Sequence, residues 1–321
     1  MILLLGIPGV GIKLVSDKEQ VIERDETIVL KALAVLIVLI SHYYRYTKHV
    51  GVETLLVSSG YLGASIFCVL SAYGCTKSFF SKGFVKGYFT NKIKHVYIPF
   101  VIVNILTLSL NCESYTVLEC IIYFLGIKLL NGIYWFVPFI LGFYLLFWFI
   151  YSRITRYKKR IFMMLLVSVI YIFLCIWGQV EEQWYSSALC IVLGCYVAEN
   201  EKTICSKELK NIIIISISYF LLFIFFIVIN LCFRHIEIIK SISACLSAVL
   251  FCGCIMNVLC KLRFKRNQFY LWIGLSSYWI YLIHVNILYI FFIETSHFGS
   301  VLFVFCSILA GGAFYFIESK L

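Results

Sequence analysis

An all-α bundle of about ten membrane-spanning helices, with both termini cytoplasmic, is the fold that three observations predict. Of the 321 residues, 62% are hydrophobic and 13% charged, with a mean hydropathy of +0.98; polytopic membrane proteins have such a composition and soluble domains do not. Apolar runs of spanning length recur along the chain, divided by short charged loops. Lys and Arg concentrate on alternate loops, so the net charge of +11 sorts onto one side of a bilayer and gives no reason to invoke nucleic acid.

Taken in order, residues 1–24 read as an extension ahead of a membrane domain spanning 25–321. Met1 to Val15 is apolar but short, is interrupted by Gly6, Pro8, Gly9 and Gly11, and lacks the basic n-region and small-residue cleavage site of a signal peptide. It is expected to be an interfacial segment or a simple extension. Spans are then expected near 28–45, 59–80, 95–111, 133–151, 161–178, 185–198, 211–232, 239–260, 270–292 and 298–317. The stretch 117–131 is short, holds Glu119 and Lys128, and abuts the next span through Asn131-Gly132. If it does not cross, the loops at 81–94, 152–160, 199–210 and 261–267 share one side and carry sixteen Lys and Arg. The other side then holds Arg45, Lys48, Lys128, Arg234 and Lys240. If it crossed, the Arg153–Arg160 cluster would face outward, against the positive-inside rule. A re-entrant or interfacial segment on the outer side is therefore predicted there.

Of the fourteen cysteines, most lie in apolar runs without paired CxxC spacing or an adjacent histidine. They read as small buried hydrophobes, and no metal site is expected.

Ionisable groups inside spans are costly and point to function by default. The first span runs from Lys31 through ten apolar or small residues to His42. Eleven positions bring both side chains to one helix face, about 16 Å apart along the axis. A snorkelling lysine and a histidine satisfied by a neighbouring helix is the alternative reading. His284 lies at a similar depth in the ninth span, where Ser277, Tyr281 and His284 form a polar stripe at i, i+4 and i+7. Such a stripe faces protein or water, either as a site or as interhelical hydrogen bonds. The second span opens on Gly60 and Gly63 and carries Ser65 and Ser71, small residues that permit close packing. Lys92, Lys94 and His95 stand before Tyr97-Ile98-Pro99, where a basic cluster meets either a soluble anion or lipid headgroups. No span interior carries an Asp or Glu, which disfavours proton- or sodium-coupled transport.

Together these pieces resemble the acyltransferase 3 family, bacterial membrane enzymes that move acyl groups onto cell-surface glycans. The likeness runs from about Arg24 to the C-terminus. It rests on Lys31 with His42, on Gly60, Gly63, Phe67, Leu70 and Ser71 with Ala72 for the usual glycine, on Lys92 to Pro99, on Tyr134-Trp135-Phe136, and on Ser277 to His284. The chain departs from the family where Lys31, Lys92 and His95 replace frequent arginines, exchanging a planar fork for point charges.

The resemblance implies a plasma-membrane O-acyltransferase that uses cytoplasmic acetyl-CoA, or another acyl-CoA, with a glycan or lipid-linked glycan as acceptor. Lys31, Lys92, Lys94 and His95 are expected to hold the donor's phosphates, and Ser71, Trp135 and Ser277 to contact substrate. His42 is expected to act as general base, or to carry a transient acyl group. Tyr281 and His284 are expected to assist at the oxyanion or to orient the acceptor. A transporter or flippase for a glycan or lipid intermediate, its path lined by the two histidines, is the competing class.

Overall fold

The computed structural model describes residues 11–15, 18–46, 56–84, 87–110, 115–265, 267–290 and 297–320. Lys48, Lys86 and Arg266 of the charge count, and most of the Met1–Val15 segment, lie outside the described residues. The helices are α1 (Arg24–Tyr46), α2 (Gly60–Lys82), α3 (Tyr88–Lys92), α4 (Ile98–Leu110), α5 (Val117–Phe124), α6 (Phe136–Arg153) and α7 (Tyr157–Trp177). They continue as α8 (Ala188–Glu199), α9 (Glu201–Cys205), α10 (Leu209–Cys232), α11 (Glu237–Leu259), α12 (Gln268–Ile290) and α13 (His297–Glu318). A π-helical turn at Ile93–Tyr97 joins α3 to α4, and a 3₁₀ turn at Gly132–Trp135 leads into α6.

Among the described residues, eight helical segments are long and apolar enough to cross a membrane. Two predicted spans are not among them. The 23-residue α2 is diluted by glycine, serine and Lys77. The span expected over 185–198 is corrected to the 12-residue α8, because the chain first makes a 3₁₀ turn at Glu182–Trp184. Twelve helical residues reach only about 18 Å. Most of α8 is buried against protein, so lipid contact does not dictate its length. At 117–131 the only helix is the eight-residue α5, too short to span. A capping box starts it: the Thr116 hydroxyl accepts from the Glu119 N–H and the Glu119 carboxylate accepts from the Thr116 N–H.

Helix directions follow from close contacts. A Cβ on Gly274 of α12 would meet the Ile28 carbonyl of α1 at 1.9 Å, and His284 touches His42 further along, so α1 and α12 run parallel. Gly63 allows α2 the same intimacy with α1, a Cβ there meeting the Ala34 oxygen at 2.6 Å; Gly60 lies against Ser41 and Tyr73 reaches Ile22, so these two run antiparallel. Ser65 bonds Ser187 at 2.8 Å while Tyr73 bonds Glu201, which makes α8 parallel to α2. Helices that alternate in direction reach α8 parallel to α2 only if 117–131 turns back on its own side.

Burial divides core from periphery. In the most apolar window of α12 72% of residues are inside the protein, against 11% for α10, whose isoleucine, leucine and phenylalanine side chains point outward as a lipid-facing helix requires. The basic loops gather at one end of the bundle. There Lys77 pairs with Glu201, Arg160 makes a two-point bond to Glu199 at 2.8 and 3.0 Å, and Arg263 pairs with Glu23. The described part of the N-terminal extension docks at this end too. Its strand β1 (Ile12–Leu14) pairs antiparallel with β2 (Leu262–Phe264). Lys18, 6% exposed, donates to the Glu26 carboxylate at 2.6 Å and to the Leu259 and Leu262 carbonyls.

Candidate active site

The parallel contact of α1 and α12 exists because Gly274 has no side chain, and it carries two histidines into register. His42 Nδ1 and His284 Nε2, 242 residues apart in sequence, lie 2.7 Å apart, with ring planes 15° from parallel. Both are buried, His284 completely. His284 Nδ1 lies 2.5 Å from the carbonyl oxygen of Tyr281 one turn earlier. A carbonyl only accepts, so the tautomers can be assigned from the partners. His284 carries its proton on Nδ1, its Nε2 accepts from His42 Nδ1–H, and His42 Nε2 keeps a free lone pair.

His42 lines a cavity of about 230 Å³, with Arg45 from the end of α1, Gly60 and Tyr61 from the start of α2, Trp135 and Phe136 at the start of α6, and Glu182, Gln183 and Ser186 ahead of α8. By the helix directions these segments all lie at the end of the bundle opposite the basic loops. Glu182 sits 3.6 Å from the Lys240 ammonium. Burial pushes its carboxyl above the ordinary carboxylate range, and Lys240 opposes that shift. Aromatic rings line the cavity as well: Phe136 lies 5.7 Å from the Tyr281 ring, which has His284 5.9 Å behind it.

An acyltransferase-domain profile, that of the acyltransferase 3 family, matches residues 26–317. The chain belongs to the acyltransferase 3 family. No curated protein and no solved structure matches it. For an acyltransferase 3 protein, the residues singled out from sequence fall into two groups. His42, Trp135 and Tyr281 line the cavity, and His284 backs it. The Tyr281 hydroxyl donates to the Ile133 carbonyl at 2.5 Å, which ties α12 to the turn that carries Trp135; as placed, this proton is not free for an oxyanion. Ser277 is buried on α12 and does not line the cavity.

The second group lies toward the basic end. Lys31 and Lys92 are near enough for their charges to interact. Among the described residues neither has a carboxylate within ion-pair distance. Lys92 Nζ sits 3.8 Å from the centre of the Tyr144 ring and 3.6 Å from Cys75 Sγ, and Ser71 faces the Tyr144 hydroxyl. Ser71 thus belongs with the lysines and not with His42. Lys94 and His95 project outward from the π-helical turn. His95 meets the Glu318 carboxylate at 2.8 Å, and the other oxygen of that carboxylate accepts from Trp279 Nε1 at 2.5 Å. The Tyr278 hydroxyl donates to Val96 O at 2.7 Å, holding the turn against α12.

Sequence reasoning missed Arg45, Tyr61, Glu182, Gln183 and Ser186. One signal was available: Glu181-Glu182-Gln183 is a polar acidic run between two apolar stretches.

Proposed function

We propose that this acyltransferase moves an acyl group, acetyl in the simplest case, from a cytoplasmic acyl-CoA to a hydroxyl of a cell-surface or lipid-linked glycan, and that it does so in the plasma membrane. The observation that carries the reading is the hydrogen-bond chain from His42 Nδ1 through His284 to the Tyr281 carbonyl. It leaves His42 Nε2 as a neutral, oriented base at the edge of the cavity. His42 takes the acceptor's hydroxyl proton as that oxygen attacks the thioester carbonyl, then returns it to the sulfur as the carbon–sulfur bond breaks. Meanwhile His284 Nε2 accepts from the imidazolium and spreads its charge, the orienting part that a third group plays in hydrolytic triads.

Lys31 and Lys92 suit the donor's phosphates. Two ammonium groups without a carboxylate partner, held within a bundle, are stabilised by an anion. With Lys31 about 16 Å from His42 along α1, an extended arm ending in a thioester fits between them. Lys94 and His95 add positive potential at the mouth, His95 less so while Glu318 holds it. Purified protein in nanodiscs, given acetyl-CoA and glycan from cells lacking the gene, is expected to release free thiol. His42→Ala and Lys31→Ala are expected to release little, the latter with a raised KM for acetyl-CoA. Thiol release by a folded His42→Ala protein at the wild-type rate would refute the assignment.

A further inference from the structure

We infer that Ser186 and Glu182, on the connection between α7 and α8, are acceptor-positioning residues that bind two hydroxyls flanking the reacting one. This deepens the proposed reaction and rests on it.

Ser186 is fully buried, yet its hydroxyl is among the few buried polar side-chain atoms in the described residues without a hydrogen-bond partner. It lines the same cavity as His42. A buried hydroxyl left unpaired is costly, and most are paired; a ligand hydroxyl in the cavity completes this one. Glu182 adds a carboxylate to the same cavity, and Gln183 an amide whose nitrogen donates to Glu181 at 2.6 Å. Lys240 of α11 lies 3.6 Å from Glu182 and 3.5 Å from Glu237, outside the cavity lining.

Trp135 lines the same cavity, its ring 6.2 Å from Trp184 and 5.8 Å from Phe136. Hydrogen-bonding groups and aromatic rings lining one cavity match a ring that carries hydroxyls on its edge and apolar C–H faces. The cavity of about 230 Å³ is smaller than the roughly 300–1,000 Å³ that accommodates drug-sized ligands. It therefore holds one ring beside the base, with any further rings extending out of its open mouth. With His42 Nε2 fixed by His284, the two flanking contacts select which hydroxyl of that ring is presented to the base.

The test uses the full chain in nanodiscs, with acetyl-CoA and glycan extracted from cells lacking the gene, and thiol release as the readout. Glu182→Gln and Ser186→Ala are each expected to raise the KM for glycan at least tenfold and to leave the KM for acetyl-CoA unchanged. Ser186→Thr, which keeps the hydroxyl, is expected to recover much of the loss. Lys240→Met removes the ion pair but keeps the Glu182 carboxylate, and is expected to hold the glycan KM within about twofold. Equal effects of Lys240→Met and Glu182→Gln would mean that the ion pair is only structural, and would overturn the inference for Glu182. Unchanged glycan KM in both Glu182→Gln and Ser186→Ala would overturn it entirely. Where Ser186→Ala fails to fold, the isosteric Glu182→Gln and Ser186→Thr decide. A wild-type protein that releases no thiol would refute the acyl-transfer reading itself, and the subsite with it.

Discussion

At the scale of single residues the account turns on which nitrogen of which imidazole carries a proton. The Tyr281 carbonyl decides this for His284, and His284 decides it for His42. Removing His284 leaves His42 free to flip or to take the other tautomer, so His284→Ala is expected to lower kcat by about 10²-fold or more, within the range ascribed to general-base catalysis. His284→Gln supplies an amide oxygen that accepts from His42 Nδ1–H and is expected to recover part of that loss. A His284→Ala enzyme at full kcat would show that His42 needs no partner. Both histidines were visible in the sequence as ionisable groups at matching depth, but their contact was not. Helical period gives each residue a face and a height; it does not say which faces meet. Glu182 and Ser186 were missed for a related reason. Glu182 lies in a short connection outside any periodic element, where spacing carries no geometric information, and Ser186 fell inside the span expected over 185–198, whereas the helix starts only at Ala188.

At the scale of elements, glycine contacts set how closely α1, α2 and α12 approach. Gly274→Ala puts a methyl against the Ile28 carbonyl, since even the Cβ falls at 1.9 Å. The expected cost is about 1–3 kcal/mol from overpacking, read as a lower melting temperature together with lost activity, because the same shift parts the histidines. Gly142 on α6 meets nothing within 4 Å, and Gly142→Ala is expected to leave activity intact and to gain up to about 1 kcal/mol in helix propensity. Equal melting temperatures for the two variants would contradict the packing argument. The N-terminal strap gives a second case. Lys18 is buried against Glu26 and two carbonyls of the α11–β2 connection. Lys18→Met strands a buried carboxylate and is expected to destabilise by about 3–5 kcal/mol. The sequence marked these residues only as an extension, because a three-residue strand and one ion pair leave no periodic trace.

For the whole molecule, the sequence was most legible where physics acts on composition. Apolar length marked the long helices, and the charge count kept 117–131 from crossing, in agreement with α2 and α8 running parallel. It was least legible for α8, where an apolar run of spanning appearance is a short helix inside protein. The Lys77–Glu201 and Arg160–Glu199 ion pairs and the hydrogen bond from Lys261 Nζ to the Cys205 carbonyl put the basic loops at one end, and the His42 cavity lies at the other. By the positive-inside rule we propose that this first end is cytoplasmic. A C-terminal green fluorescent protein fusion is therefore expected to fluoresce, and a cysteine introduced at Gln183 in a cysteine-free background is expected to react with an impermeant maleimide in intact cells. The reverse pattern would invert the proposed route from donor to acceptor. The central claim, that His42 is the base joining a donor bound at one end to an acceptor bound at the other, has a direct test. Single-turnover acyl transfer from acetyl-CoA to the glycan is measured for wild type and His42→Ala in nanodiscs at matched folding. The account predicts a fall of about 10²–10⁴-fold in the transfer rate, with acetyl-CoA affinity held within about twofold. A transfer rate within a few-fold of wild type would contradict it.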